Sequence, residues 1–148
     1  MHFKILEQWI GLCQNLKYLT AKDTGLTRLP ENFRSLKGLE KLNLEGNALV
    51  ALPDFMAYLL DLDTLNLKNN RLKMLPDWIE NLTKVTHLNL GNNRFSRLPK
   101  AIENLVNLEA FKISDNPWKE LSPWMFARFS PGDLGFYPVW LVDRKHFI

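Results

Sequence analysis

A constant spacing of 23 residues restricts the fold of this chain more than any other feature. Apolar residues recur at this spacing with no insertion or deletion, at Leu16, Leu39, Leu62, Val85 and Leu108. A fixed period of about 20–50 residues is typical of solenoids, in which each unit packs only against its neighbours. Most of the sequence therefore forms one repeated unit, whose repeated surface suits partner binding better than catalysis.

Each unit has two halves that differ in the spacing of their apolar residues. In the first half they alternate, as at Leu42 and Leu44, which predicts a half-buried strand. In the second half, from Leu49 to Leu59, the spacing lengthens to three or four residues. This second pattern predicts a short helical or 3₁₀ segment on the opposite side, and Pro53 suits its start.

The complete unit reads L-x-x-L-x-L-x-x-N-x-L-x-x-L-P-x-x-I-x-x-L-x-x. Successive copies of this unit cover residues 16–121. It resembles the leucine-rich repeat family in its 23-residue LPxxI version, which occurs in bacterial proteins, including those of spirochaetes, and in Ras-associated scaffold proteins. The resemblance implies an α/β fold: a leucine-rich repeat solenoid shaped as a short horseshoe arc. Its parallel sheet would line the concave face, where the family usually holds partners, and its helical or 3₁₀ segments the convex face.

We expect residues 1–148 to form a single domain. Residues 1–15 would be an N-terminal half repeat, followed by repeats at 16–38, 39–61, 62–84, 85–107 and 108–130 and a C-terminal cap at 131–148. In the half repeat, Cys13 takes the place of a leucine. It is therefore predicted to be a buried small hydrophobe rather than a nucleophile.

The two ends of a stack need separate explanations. The strand at 17–22 would be a free sheet edge, which gives one route to self-association. The C-terminal region is rich in aromatic residues and is read either as a recognition surface or, preferably, as a cap over the last unit. Within it, residues 139–142 are predicted to add a short strand beside residues 108–113.

An asparagine column repeats with the leucines, at Asn47, Asn70, Asn93 and Asn116. A polar ladder on the surface is one interpretation. The preferred one is structural, because a buried amide can both donate to and accept from the backbone of the turn that leaves the strand. We therefore expect these side chains in the core.

The open sheet face comprises the third, fifth and seventh residues of each unit, which point away from the core. It would span only about 20 Å between the outer strands. Tyr18 is its one aromatic residue, although hot spots favour aromatics and arginine. The candidate protein-binding residues on this concave face are Tyr18, Lys41, Asn43, Thr64, Asn66, His87, Asn89 and Lys112.

The convex side offers a rival contact, made of Phe55, Tyr58, Met74 and Trp78. Phe55 and Trp78 share a column on adjacent units and are expected to be neighbours. If they point outward, they form an apolar cluster of the kind that marks a contact. The alternative is that both rings lie between neighbouring segments as packing.

Charge gives only weak guidance about partners. A net charge of +3 and a pI near 9.0 come without a basic stripe, so no nucleic-acid partner is expected. Arg71, Lys73, Arg94 and Arg97 lie on the loops that leave the third and fourth strands. They are read as a solvated rim, with an acidic partner as the alternative.

No motif for catalysis is present: there is no glycine-rich phosphate loop, His-Glu-x-x-His, Gly-x-Ser-x-Gly or Cys-x-x-Cys. His2, His87 and His146 are too dispersed for one metal site, which leaves only metal at an intermolecular contact open. We expect no enzyme activity, no cofactor and no metal site.

We expect a module that binds a protein partner of unknown identity, as an adaptor or effector. The alternative is a structural protein that self-assembles into homo-oligomers. Lys4 and Glu7 interrupt any signal-peptide core, and no apolar run is long enough for a membrane span. A cytoplasmic location is expected, with secretion by a signal-free route as the alternative.

Overall fold

The structure is a computed structural model and describes residues 9–136. Its strands are three residues long and recur every 23 residues, as the spacing predicts. They are β1 (Tyr18–Thr20), β2 (Lys41–Asn43), β3 (Thr64–Asn66), β4 (His87–Asn89) and β5 (Ala110–Lys112).

The five strands form one parallel sheet in sequential order. Each strand pairs in register with the equivalent residues of the next unit, so Leu42 lies opposite Leu65, which lies opposite Leu88. These three leucines are at most 1% exposed. The predicted solenoid, with its leucines stacked in columns, is therefore confirmed.

Short 3₁₀ helices form the side of each unit opposite the sheet. They are Ile10–Leu12, Glu31–Ser35, Asp54–Tyr58, Asp77–Asn81 and Lys100–Asn104. In the last four, a proline with ψ between 142° and 153° precedes the helix. Because proline has a fixed φ and no N–H to leave unpaired, it suits the start of these helices.

The turn after each strand requires a residue in the left-handed region. Asp23, Asn69, Asn92 and Asp115 have φ between 49° and 57°, and Gly46 has φ 72°. Glycine, asparagine and aspartate tolerate this region best. These residues come directly before the asparagine column. Their left-handed backbone explains why only aspartate, asparagine and glycine occupy the position.

The chain after β5 covers the last unit. Trp118 is buried and stacks on Phe95, with ring centroids 6.1 Å apart. Ile113 N donates to Leu134 O at 2.9 Å, and Phe136 is also buried. Residues 118–136 thus cover the fifth unit as a cap, whereas the cap boundary predicted at residue 131 stays a prediction.

The fifth unit departs from the others in its second half. An α-helix, α1 (Pro123–Arg128), stands where the earlier units have a 3₁₀ helix. The strand predicted at residues 139–142 lies outside the described residues.

The prediction that Cys13 is buried is wrong, since its side chain is exposed. Leucines at the equivalent position, such as Leu36 and Leu59, are fully buried between two neighbouring units. Cys13 lies in the N-terminal half repeat, and among the described residues it has a complete repeat on one side only. Its thiol lies 3.7 Å from Trp9 O, as a weak donor to that carbonyl.

Within residues 9–136, β1 pairs with β2 alone and forms one edge of the sheet. This agrees with the edge position predicted for residues 17–22. No helix of the described chain is long and apolar enough to cross a membrane.

Candidate protein-binding faces

The open sheet face is built by the register of the strands. Tyr18 lies opposite Lys41, Lys41 opposite Thr64, and Thr64 opposite His87. Tyr18, Lys41 and His87 are exposed and Thr64 is half-buried. The structure therefore brings these four predicted residues together as one row across four strands.

Tyr18 is the most prominent side chain of this row. It is 61% exposed, and Lys41 Nζ lies 5.3 Å from the centre of its ring. A lysine at this distance over a tyrosine is attracted by the negative face of the ring. The pair holds an amphipathic ring in place beside a positive charge.

A second row consists of Asn43, Asn66 and Asn89, whose side chains form hydrogen bonds with the backbone. Each Oδ1 accepts the N–H two residues later in the chain, at 3.0, 3.1 and 3.0 Å. Asn66 Nδ2 also donates to Glu45 Oε2 at 3.0 Å. These half-buried amides are therefore held in fixed orientations on the open sheet face.

Lys112 lies opposite Asn89 in the register, but its side chain contacts the C-terminal segment. Its ammonium donates to Gly132 O at 3.3 Å, so the side chain is half-buried against the cap. The sequence could not indicate this contact, because residue 132 lies beyond the repeated region. All eight predicted residues thus lie on the open sheet face by register, and Lys112 is the one whose side chain contacts residue 132.

Charges near this face are paired between adjacent units. Lys17 Nζ lies 3.0 Å from Glu40 and Lys84 Nζ lies 2.6 Å from Asp61. The hydrogen bond with Glu40 raises the pKa of Lys17, and the hydrogen bond from Lys84 lowers the pKa of Asp61. The pairs are solvent-exposed, so they contribute little to stability but fix the pattern of charge.

Glu45 is the least exposed carboxylate of the face. Partial burial opposes its ionisation, but hydrogen bonds from Asn66 and Lys22 outweigh this effect and lower the pKa of Glu45. Lys22 Nζ lies 3.3 Å away, and the Lys68 charge acts in the same direction. The carboxylate is therefore kept charged and oriented.

Beneath the face, the asparagine column forms a buried ladder, as predicted. Asn70 is 8% exposed. Its Nδ2 donates to Leu44 O and Leu67 O at 2.9 and 3.0 Å, and its Oδ1 accepts Leu49 N–H at 3.1 Å. Each asparagine thus satisfies the turn of its own unit and of the preceding unit, which rigidifies the sheet.

His87 lies on the exposed row, and its Nδ1 is 2.8 Å from Thr86 Oγ1. Thr86 Oγ1 in turn donates to the carboxylate of Asp63. His2 and His146 are outside the described residues. Within 9–136, no group of three or more His, Cys, Asp and Glu side chains could hold a metal ion.

The convex candidates are divided by the structure. Tyr58 and Met74 are 67% and 75% exposed, but Phe55 is only 7% exposed. Of the two interpretations left open for Phe55, the one in which it points outward and joins a convex contact is therefore wrong. In the middle of the stack, its 3₁₀ helix has a neighbour on both sides, and the ring joins the core cluster.

Trp78 is half-buried and packs against the same core cluster. Its Nε1 is buried without a hydrogen-bond partner among the described atoms. Trp9, in the same column at the first unit, stays 62% exposed. The rings of Phe55 and Trp78 thus mainly pack against the core, which agrees with the second of the two interpretations.

The structure adds one feature that the sequence treatment missed. Met74 was assigned to the convex contact and Arg97 to the basic rim, yet both line one groove of about 560 Å³ with Lys73 and Arg94. The available signal was their spacing of 23 residues, which places Met74 and Arg97 at equivalent positions in adjacent units.

A family model described as leucine rich repeat matches residues 37–95 and 60–118. This chain belongs to the leucine-rich repeat family. The matched ranges together span more than half of the sequence, and they contain β2 to β5. A comparison with curated proteins finds no match.

Two solved structures support the same assignment of fold. A leucine-rich repeat protein from Leptospira interrogans is 37% identical, with a TM-score of 0.73, over 85% of this chain and 31% of that chain. The functional domain of InlJ from Listeria monocytogenes is 24% identical, with a TM-score of 0.65, over 74% of this chain and 23% of that chain. The present chain thus spans less than one third of either protein.

The second structure is described as including a cysteine ladder. The present chain has one cysteine, and its own buried ladder consists of asparagine amides. Leucine-rich repeat proteins generally act as non-catalytic modules for protein–protein interaction.

Proposed function

We propose that this chain is a non-catalytic adaptor or effector module that binds a protein partner on its open sheet face. The observation that carries the proposal is the register of Tyr18, Lys41, Thr64 and His87. It sets four accessible side chains side by side on consecutive strands, about 4.8 Å apart.

Rigidity supports this proposal. The buried amide ladder and the paired charges hold the strands and their side chains before any partner arrives. Binding then loses little conformational entropy, and a preorganised surface gains affinity for that reason. Tyr18 adds an exposed amphipathic ring, a residue type enriched among interface hot spots.

The size of the face limits the kind of contact. Five strands span about 20 Å, and a stable interface needs about 800 Å² on each partner. We therefore infer that the partner also contacts a flank of the solenoid.

Two tyrosines provide a matched test, because Tyr18 on the open sheet face and Tyr58 on the convex side are similarly exposed, at 61% and 67%. The tagged chain and its Tyr18→Ser and Tyr58→Ser variants are used to capture and quantify a stoichiometric partner. We expect Tyr18→Ser to reduce capture at least fivefold and Tyr58→Ser to leave it unchanged. The reverse order, or capture of no partner at all, would refute the proposal.

Self-assembly is the second candidate function, and one observation favours it. Tyr58 and Leu60 are both exposed, at 67% and 52%, and lie two residues apart on the convex side. Sedimentation velocity of the purified chain would then show a homo-oligomer that Tyr58→Ser/Leu60→Ser converts to monomer. A monomer at high concentration would exclude this alternative.

A further inference from the structure

The positive charge of this chain is concentrated in two turns. Residues 69–74 and 92–97, which follow β3 and β4, contain four basic residues and no acidic one. Because the whole chain carries +3, the rest of it sums to −1, the difference between +3 and +4. The excess positive charge therefore lies entirely in these two turns.

The other units show that the repeat does not require this charge. The equivalent turn at 23–28 has one acidic and one basic residue, and the turn at 46–51 has no charge. The turn at 115–120 has one basic and two acidic residues. A net positive charge in this turn is thus a property of the third and fourth units alone.

Arg71 and Arg94 are stacked by the solenoid. Arg71 N donates to Leu49 O at 2.9 Å, and Arg94 N donates to Leu72 O at 2.8 Å, so the two residues repeat the same position one unit apart. Strands at this spacing are about 4.8 Å apart. The two guanidinium groups therefore emerge from neighbouring positions on one flank.

Among the described residues, the four side chains form no ion pair. Arg71, Lys73, Arg94 and Arg97 are exposed, and none of the ion pairs formed within residues 9–136 includes them. Lysines elsewhere, such as Lys84, are paired with carboxylates one unit away. Like charges this close repel each other, and an anionic ligand would remove that repulsion.

An apolar surface lies between the cations. Lys73, Arg94 and Arg97 line the groove between the third and fourth units together with Met74, which is 75% exposed. Within the described chain, Asp77 is the single carboxylate that lines it. An exposed methionine is a flexible contact for an apolar side chain.

We propose that this basic groove, lined by Lys73, Met74, Arg94 and Arg97 and flanked by Arg71, binds an acidic segment of the protein partner. The two arginines pair with its carboxylates, for which a guanidinium offers a matching fork of donors. Met74 contacts an apolar side chain of the same segment. The inference rests on the proposed function and supplies the flank contact that the small open sheet face lacks.

The chemistry favours an acidic peptide over a nucleic acid. A duplex is recognised by a basic stripe that follows its backbone over many phosphates. Here the cations span two units and the centre is apolar. The adjoining turn at 46–51 is uncharged, and the one at 115–120 carries two acidic residues. The electrostatic footprint fits a short anionic segment.

The test uses the intact chain and fluorescence anisotropy of a short labelled peptide rich in glutamate with one central leucine. Arg71→Gln/Arg94→Gln should weaken binding about tenfold at low salt, and Met74→Ser about threefold. The control Lys37→Gln/Lys84→Gln removes the same charge on the opposite flank and should bind like the wild type.

Three results would overturn the inference: equal loss in the control variant, no effect of Met74→Ser, or tighter binding of duplex DNA than of the peptide. The peptide assay does not depend on an identified partner. If the peptide fails to bind but Tyr18→Ser still abolishes partner capture, the groove is refuted and the proposed function stands. If the peptide binds and no partner is captured, the open sheet face is refuted instead.

Discussion

Asn93 and Leu72 belong to adjacent units, and Asn93 Oδ1 accepts the Leu72 N–H at 3.1 Å. The same side chain donates from Nδ2 to Leu67 O, also in the preceding unit, at 2.9 Å. Each turn after a strand is therefore completed by the asparagine of the next unit. A solenoid with such shared contacts depends on the interfaces between its units for stability.

Replacing Asn93 by alanine should lower the free energy of unfolding by about 2–4 kcal/mol. The substitution leaves the buried Leu72 N–H without its acceptor. It also removes one of the two hydrogen bonds that Leu67 O and Leu90 O each accept, and such losses are costly. Urea denaturation followed by circular dichroism measures the change. The exposed Asn81→Ala on the 3₁₀ side is the control, and an equal effect of the two substitutions would contradict the structural role of the ladder.

Gly46→Ala should lower the free energy of unfolding by about 1–2 kcal/mol, because φ at this position is 72° and a left-handed conformation is unfavourable for alanine. A Cβ there would also overlap Oδ1 of Asp23. Gly38→Ala is the matched control, since its Cβ would meet nothing closer than Lys17 Nζ at 3.7 Å. Thermal unfolding of both variants tests this prediction. A Gly46→Ala protein with the same midpoint temperature as the wild type would contradict it.

Arg128→Ala should loosen the C-terminal cap and lower the free energy of unfolding by about 2 kcal/mol. The guanidinium donates to the carbonyls of Leu105, Val106 and Leu108 at 3.1, 3.2 and 2.8 Å. Arg128→Lys should recover less than half of the loss, because an ammonium does not reproduce this fork. Denaturant midpoints measure both, with Arg34→Ala as a control for an exposed arginine. Full recovery by lysine would show that charge alone matters.

The stability of the chain should fall as the pH drops below about 4.5, with Glu45 as a contributor. The folded-state pKa of Glu45 lies below its ordinary value of 4.5, so the native state favours the carboxylate. Its contribution is present above that value and is lost as pH falls through the folded-state pKa. Urea midpoints across this range should depend less on pH in Glu45→Gln than in the wild type. Identical pH profiles would contradict the assignment.

The period made most of the fold predictable from the sequence. A spacing of 23 residues fixes which side chains are neighbours, so the register of Leu42, Leu65 and Leu88 and the buried position of Asn70 follow from counting. The 3₁₀ helices follow from the spacing after the asparagine and from the proline. These features are local to one unit and repeat in the next.

Features that depend on position in the stack were not predictable in the same way. Phe55 was left open between an exposed and a packed position, and two neighbouring units cover its ring, whereas Cys13 was expected inside and is exposed. Lys112 belongs to the open sheet face by register, yet the cap contacts it. A repeat pattern specifies a unit between two identical neighbours, and it does not specify how the ends differ.

From the sequence, each candidate surface could be predicted only as a set of equivalent positions in successive units. The sequence placed Tyr18, Lys41, Thr64 and His87 on one face, and the structure shows them in one row. The sequence did not place Met74 in one groove with Arg94 and Arg97, because a groove forms where two units pack together and is not a property of a single unit.

Nuclear magnetic resonance of the labelled chain with its captured partner tests the central claim most directly. The account predicts that amide shifts on partner addition cluster at Tyr18, Lys41, Thr64 and His87 and extend onto the flank that carries Arg71. Shifts confined to the convex side around Tyr58 would contradict binding on the open sheet face.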